Sequence, residues 1–139
     1  KCITALDLGQ AQTRWGSFCE ALEAHAAFEE EVIFPLYAGL GSRPRGAGLE
    51  LFEADHTSFR KVINACHETL RELRAIQRGS DDLRGEMVIR LKPFLRLRGV
   101  LEHHSLREQL HLYPSLEAAL PHAEVERLHS LMERLESTL

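Results

Sequence analysis

The amino-acid sequence predicts an all-α protein built from four helices. Helix-favouring Leu, Ala, Glu and Arg are abundant while β-branched residues are few, and apolar residues recur at intervals of three and four. The chain has 139 residues, 44% hydrophobic and 27% charged, so it is long enough to bury one core. We therefore expect residues 1–139 to form a single helical domain.

The first predicted helix runs from about residue 5 to residue 38. Its inner face is apolar except at two positions and consists of Trp15, Phe18, Leu22, His25, Glu29, Val32 and Leu36. Pro35 should loosen the last turn, because it lacks an amide hydrogen and its ring clashes with the preceding turn. Residues 39–48 are rich in glycine and contain Pro44 between two arginines, which predicts a loop.

Three more helices are predicted after this loop. The second, residues 49–78, has an inner face with one histidine: Leu49, Phe52, His56, Phe59, Ile63, Cys66, Leu70 and Leu73. The third, residues 81–120, should kink or restart at Pro93 and Pro114, and its inner face is Met87, Leu91, Phe94, Leu97, Leu101, His104, Glu108 and Leu112. Pro121 opens a short final helix that ends near residue 138.

One pattern, His-x-x-x-Glu-x-x-x-x-aromatic-Pro, occurs twice. The first copy is His25, Glu29, Phe34 and Pro35, and the second is His104, Glu108, Tyr113 and Pro114. Residues four apart lie on the same face of an α-helix, so each His and Glu pair can offer a nitrogen and a carboxylate oxygen to one point. Two such helices, face to face, could hold two metal ions.

The candidate metal ligands all lie on inner faces of predicted helices: His25, Glu29, His56, His104 and Glu108. Burying a carboxylate or an imidazole is costly unless a partner satisfies it, and a shared metal site would satisfy all five. Imidazole and carboxylate without thiolate suit iron, manganese or zinc. A lone histidine such as His56 is more often a hydrogen-bonded core residue, but the repeated pairs favour metal binding.

Neighbouring polar residues have simpler interpretations. Glu30 rotates away from the inner face and is predicted to be solvated. His103 points about 100 degrees away from His104 and has Arg107 rather than an acid four residues on, so His104 is the better ligand. His111 is either a partly exposed histidine or a residue that supports or joins the ligands.

Composition argues against several other classes of protein. The net charge is -4 without a basic stripe, so nucleic acid is not an expected partner. No apolar run suits a membrane span and no secretory signal is evident, so we expect a soluble, cytoplasmic protein without a membrane partner. Three cysteines without Cys-x-x-Cys spacing predict free thiols. No phosphate loop or nucleophile motif appears, and whether the protein is an enzyme stays open.

Three segments together resemble the hemerythrin-like, or HHE cation-binding, family over about residues 15–135. They are HAAFEEEVIFP from His25, EADHTSF around His56, and EHHSLREQLHLYP ending at Pro114. The resemblance implies an up-down four-helix bundle with a non-haem di-iron centre. It also implies the ligand set His25, Glu29, His56, His104 and Glu108.

In such a site, the resemblance implies that Glu29 and Glu108 bridge two irons, together with an oxo or hydroxo group, and that one face stays open. Dioxygen, peroxide or nitric oxide would bind there, between apolar walls that include Phe52 and Phe59. Zinc or manganese are alternative metals. This chemistry fits oxygen carriage, sensing, stress response or storage, and the sequence does not choose among them.

This sequence departs from the family pattern in one respect. Members normally have a further helix before the one that bears His25, and that helix contributes a histidine, but no histidine precedes His25 here. The site is therefore expected to be short of ligands. Three sources are considered: residues upstream of Lys1, a second chain in a homodimer, or the final helix with His129. In an up-down bundle the final helix would run in the direction of the absent one, although the level of His129 along the bundle fits poorly.

Two other functions stay open. A ferritin-like carboxylate di-metal oxidase uses Glu-x-x-His pairs, and the chain has two, Glu53 with His56 and Glu126 with His129. A metal-free helical interaction or dimerisation module with a degenerate site is the second alternative, since a groove left by an absent helix could recruit a partner. Metal content separates this module from the metal proteins.

Overall fold

The computed structural model describes residues 8–41, 43, 45–77 and 83–137. Every regular element in those ranges is a helix, which confirms the predicted all-α class. In chain order the elements are α1 (Leu8–Phe28), a π-helical turn π1 (Glu29–Ile33), α2 (Phe34–Ala38), α3 (Leu49–Gln77), α4 (Leu83–Ile89), α5 (Lys92–Arg107), a second π-helical turn π2 (Glu108–Leu112), α6 (Tyr113–Ala119) and α7 (His122–Ser137).

The elements α1, π1 and α2 follow one another without a break. They end at Ala38, as predicted, whereas the predicted start near residue 5 lies outside the described residues. In π1 the amide of Phe34 donates to the carbonyl of Glu29, five residues back. Pro35 follows in the first turn of α2, where a proline is tolerated. The wider π turn lets the helix continue past the proline.

The second copy of the motif repeats this backbone. In π2 the amide of Tyr113 donates to the carbonyl of Glu108, and Pro114 lies in the first turn of α6. Pro93 acts differently, because the helix is interrupted between α4 and α5 just before it. The predicted interruptions are therefore confirmed as a break at Pro93 and a π turn before Pro114.

The core consists of two clusters of buried apolar side chains. The first contains Ile33, Phe34, Tyr37, Phe52, Leu112, Leu116 and Leu128. The second contains Ala26, Phe59, Val62, Cys66 and Leu97. Phe52 and Phe59 lie on the same helix, four residues before and three after His56. The polar cluster described below therefore lies between the two apolar clusters.

The final helix, α7, packs against α1 and α6. Its Leu128 is buried in the first core cluster. In an up-down bundle a helix preceding α1 would run beside α1 in the direction that α7 takes. The final helix thus covers part of that side of α1.

The loop before α3 is tied to α2 by a tyrosine. The Tyr37 hydroxyl, which is fully buried, donates to the carbonyl of Ala47. Gly46 has a φ of 78°, in the left-handed region that glycine enters without a steric penalty. This hydrogen bond closes the predicted loop against the core.

Some predicted side-chain environments need correction. Phe18 was assigned to the inner face of the first helix by spacing, but it is 42% exposed and packs at the rim of the second cluster against the Trp15 ring, 5.6 Å away. Cys19 and Cys66 are free thiols as predicted, and Cys2 lies outside the described residues. Among the helices described, none is both long enough and apolar enough to cross a membrane.

Candidate metal centre

Four ionisable side chains are buried at the centre of the bundle. They are Glu29, His56, His104 and Glu108, with exposed fractions of 0%, 1%, 6% and 6%. His25 lies beside them, with 34% of its side chain exposed. The two glutamates stand at the first residue of π1 and π2, each one turn after its histidine, and His56 lies in the second turn of α3. All five sequence-predicted ligands are therefore brought together.

Glu29 is the centre of this cluster. Its Oε1 lies 2.8 Å from Nε2 of His25 and accepts a hydrogen bond of 2.9 Å from the hydroxyl of Tyr113. Its Oε2 lies 2.9 Å from Nε2 of His56 and 3.6 Å from Nε2 of His104. Each carboxylate oxygen therefore faces two donor groups.

The ligand atoms form two groups that share Glu29. One consists of Glu29, His56 and His104, and the other of His25, Glu29 and Glu108, with the ligand atoms of each group within 4.8 Å of one another. The two buried histidines also face each other, with 3.2 Å between their Nε2 atoms. Glu108 contacts Nε2 of His104 directly. The geometry thus offers two adjacent cation positions joined by one carboxylate.

A carboxylate outside the cluster fixes the ring of His56. Nδ1 of His56 lies 2.8 Å from Oε1 of Glu30, and Arg60 donates to that same oxygen at 2.7 Å. Arg60 is held in turn by Glu23, at 2.7 Å. The prediction that Glu30 is merely solvated was wrong, because its side chain turns back from π1 to reach α3. A histidine whose Nδ1 is engaged in this way presents Nε2 to a metal.

His104 has a matching arrangement. Its Nδ1 lies 3.1 Å from Oδ2 of Asp55, and Arg107 donates to the same oxygen at 2.8 Å. Arg107 also donates to the carbonyl of Leu51 at 3.3 Å, which anchors it to α3. Both buried histidines thus have Nε2 in the cluster and Nδ1 on a carboxylate that an arginine holds.

The two glutamates have opposite electrostatic surroundings. Burial raises the pKa of Glu29, but hydrogen bonds from His104, His25 and His56 outweigh it, so its pKa lies well below the usual range. Burial is the main reason that the pKa of Glu108 is above the usual range, since it acts together with Glu29 against the lowering effect of His104. One negative charge is therefore fixed at Glu29.

The negative charge of Glu29 raises the pKa of two neighbouring histidines, His104 and His25. Burial lowers the pKa of His104, but hydrogen bonds to Glu108 and Glu29 dominate and raise it to about 10. The hydrogen bond to Glu29 likewise raises the pKa of His25. A cation bound here would replace protons that the imidazoles otherwise carry, so cation binding should release protons.

Other predicted candidates lie elsewhere. His103 is exposed and faces Arg107, as expected of a residue outside the cluster. His129 is 60% exposed and its Nε2 lies 3.8 Å from Oε1 of Glu117, so the final helix does not bring it to either ligand group. His111 is partly exposed and belongs to neither ligand group.

The ferritin-like arrangement is not formed. Glu53 is exposed at a surface pocket of about 370 Å³, away from the ligand groups. Glu126 is exposed and pairs with His122, at 3.0 Å, rather than with His129. Neither Glu-x-x-His pair therefore converges on a metal position in the part of the chain that the structure describes.

Sequence analysis missed four residues that shape the centre: Asp55, Arg60, Arg107 and Tyr113. Tyr113 was visible as the aromatic residue of the second motif copy, but its hydroxyl was given no role. Asp55 precedes His56 directly, yet it serves His104 on another helix. That pairing depends on how α3 and α5 pack, which periodicity within one helix does not reveal.

The donor set fits a pair of hard or borderline cations. Imidazole nitrogens and carboxylate oxygens suit iron, manganese and zinc. Every buried side-chain nitrogen and oxygen of the described residues has a hydrogen-bond partner, and the Nε2 atom of His56 faces two other prospective ligands, Glu29 and His104. A cation would therefore take the place of contacts that the ligands now make with one another.

This helical bundle therefore contains a candidate cation-binding centre. The family model described as Hemerythrin HHE cation binding domain matches residues 2–87, more than half of the chain, and the chain belongs to this family. The matched segment includes His25, Glu29 and His56 and ends before the second motif copy. No curated protein and no solved structure matches the chain.

Proposed function

We propose that this protein binds two iron ions in the centre described above and uses them to bind or react with a small oxidant, namely dioxygen, peroxide or nitric oxide. The observation that carries the proposal is the sharing of Glu29 by two three-residue ligand groups. The family binds metal cations, typically iron. Both features support a paired site of the kind that helical bundles build from facing helices.

The five predicted ligands divide naturally between the two positions. Glu29 would serve both ions. His56 and His104 would hold one ion, while His25 and Glu108 would hold the other. When bound, iron supplies reversible electron transfer and open coordination positions for a small ligand.

The surrounding residues would orient and shield the centre. Glu30 with Arg60, and Asp55 with Arg107, keep the two buried imidazoles turned toward the ions. Phe52 and Phe59 exclude water on the α3 side. His25 is the most exposed of the five predicted ligands, so we place the entry of the small ligand on its side.

Metal analysis of the purified protein tests this proposal. After anaerobic loading with ferrous iron and removal of excess, plasma emission spectroscopy should give about two irons per chain. Iron binding should also raise the melting temperature, because a ligand at 100 times its Kd stabilises the folded state by about 2.7 kcal/mol. Iron-free protein after loading, with an unchanged melting temperature, would contradict the proposal.

A metal-free interaction module is the second candidate, and one observation favours it. The hydrogen-bond network of the described buried side chains is complete without an ion. In such a module, His25→Ala would leave the stability unchanged or improve it, whether or not iron was supplied. In the metal protein the same change should lower the melting temperature of the iron-loaded form.

The residues of the centre do not choose among cellular roles. We propose sensing, stress response or storage in the cytoplasm as settings in which reversible binding of a small oxidant is useful. A homodimer that supplies a further helix stays a prediction, and sedimentation of the iron-loaded and iron-free forms would test it.

A further inference from the structure

The hydroxyl of Tyr113 points into the metal centre. It donates to Oε1 of Glu29 at 2.9 Å, the same oxygen that lies 2.8 Å from Nε2 of His25. Glu108 is the second acidic neighbour of this phenol. Tyr113 therefore contacts Glu29, has Glu108 beside it, and shares one oxygen of Glu29 with His25, which together form one of the two ligand groups.

We propose that Tyr113 is an additional iron ligand, and that its phenolate oxygen binds the ion held by His25, Glu29 and Glu108. This inference rests on the proposed function, since it names a ligand of the same site. The assignment follows from the donor atoms that surround the carboxylate of Glu29. The nitrogens of three prospective ligands approach that carboxylate, from His25, His56 and His104, and the Tyr113 oxygen is the fourth donor atom to do so.

The ligand shortage of the site supports this assignment. Each ligand group offers three residues of the described chain, so each cation position has room for a further ligand. His129, the alternative within this chain, faces Glu117 instead. Tyr113 supplies an oxygen at the second group without any change of fold, because π2 and Pro114 already place it there.

The coordination step balances without an electron donor or acceptor. The O–H bond of Tyr113 is replaced by an O–Fe bond, and the proton leaves to solvent on the exposed His25 side. Iron(III) stabilises the phenolate, because a bound cation favours deprotonated oxygen ligands. The hydrogen bond from Tyr113 to Glu29 is lost in the same step, which leaves that carboxylate oxygen free for the metal.

Optical and vibrational spectra of the iron(III) form test the assignment. A phenolate on iron(III) gives a charge-transfer band in the visible region, and excitation in that band enhances tyrosine ring modes in the Raman spectrum. Wild type and Tyr37→Phe should show both signals. Tyr37 is the matched control, because the sequence has 2 tyrosines and this one donates to the carbonyl of Ala47, outside the ligand groups. Tyr113→Phe should lose both signals while it retains iron.

The outcomes separate the two proposals. Iron-loaded wild type without the band, or a band that persists in Tyr113→Phe, would overturn the tyrosine assignment and leave the iron site standing. Wild type that takes up no iron would overturn both. If Tyr113→Phe fails to fold, Tyr37→Phe still decides, because its only remaining tyrosine is Tyr113. Enhanced tyrosine modes in that variant would support the assignment, and their absence would refute it.

Discussion

The two copies of the His and Glu motif have the same backbone but different surroundings. Each glutamate opens a π turn and each proline follows in the next helix. Glu29, however, is fully buried and faces donor groups from four residues, whereas Glu108 is paired chiefly with His104. Repetition in the sequence therefore gives equivalent local structure, while the packing of other helices decides which copy becomes the centre of the site.

The aromatic position separates the copies further. Phe34 packs against the ring of His56, with 5.0 Å between ring centroids, and has no hydroxyl. Tyr113 stands at the same offset in the second copy and donates to Glu29, which belongs to the first copy. The aromatic residue of the second copy thus donates a hydrogen bond to the glutamate of the first copy, whereas Phe34 has no hydroxyl to donate to Glu108.

The largest expected difference between the copies is in metal content. Glu29→Gln removes the only residue common to both ligand groups. We expect that variant to lose nearly all bound iron, because each ion loses an anionic ligand. Glu108→Gln leaves Glu29, His56 and His104 in place and should retain about one ion per chain. Iron per chain, measured by plasma emission spectroscopy after gel filtration, distinguishes the two variants.

An exposed glutamate provides the control for this pair. Glu102 forms an ion pair with Arg98 on the surface of α5, with 64% of its side chain exposed. Glu102→Gln should bind as much iron as wild type. Equal iron loss in Glu29→Gln and Glu108→Gln would break the comparison, since it would mean that the two carboxylates serve the ions alike.

The second expected effect is on the stability of the metal-free protein. The pKa of His104 is raised from 6.5 to about 10, so its charged form stabilises the fold. That contribution is fully present below pH 6.5, where the unfolded chain is also protonated, and it is lost as the pH rises through about 10. His104→Gln should therefore be destabilised most below pH 6.5 and approach wild type above pH 10.

Thermal melts in the presence of a chelator would measure this trend. His129→Gln is the matched control, because that histidine is 60% exposed and lies outside the ligand groups. We expect its melting temperature to follow that of wild type at every pH. A gap between wild type and His104→Gln that widened with rising pH would show that the sign of the linkage is wrong.

A third effect, of intermediate size, concerns the carboxylates behind the buried histidines. Glu30→Gln and Asp55→Asn keep side-chain shape but remove the charge that orients His56 and His104. Loss of such a partner typically weakens metal affinity by about 10–100-fold. Competition with a metal-binding dye would measure the loss, with Glu102→Gln again as the control. Unchanged affinity in both variants would mean that ring orientation is fixed by packing alone.

Much of the fold and of the candidate site was predictable because both depend on spacing within helices. The pairs His25 with Glu29 and His104 with Glu108 follow from one helical turn. The exposure of Phe18 and the position of Asp55 did not follow, since they depend on which helices pack together and at what level. Glu30 shows the same limit, because a residue off the inner face can still reach a histidine on the next helix.

The smallest expected effect comes from replacing the two motif prolines, which tests whether Pro35 and Pro114 are needed to position the glutamates of the two copies. Ile33 and Leu112 end π1 and π2, and both are buried, at 1% and 0% exposed. Packing of these residues should keep each turn in place when the proline is replaced. Pro35→Ala and Pro114→Ala should therefore change the free energy of unfolding by no more than about 0.5 kcal/mol, and both variants should bind wild-type amounts of iron. If either variant lost iron, the proline of that copy, rather than its packing, would be what places the glutamate in the centre.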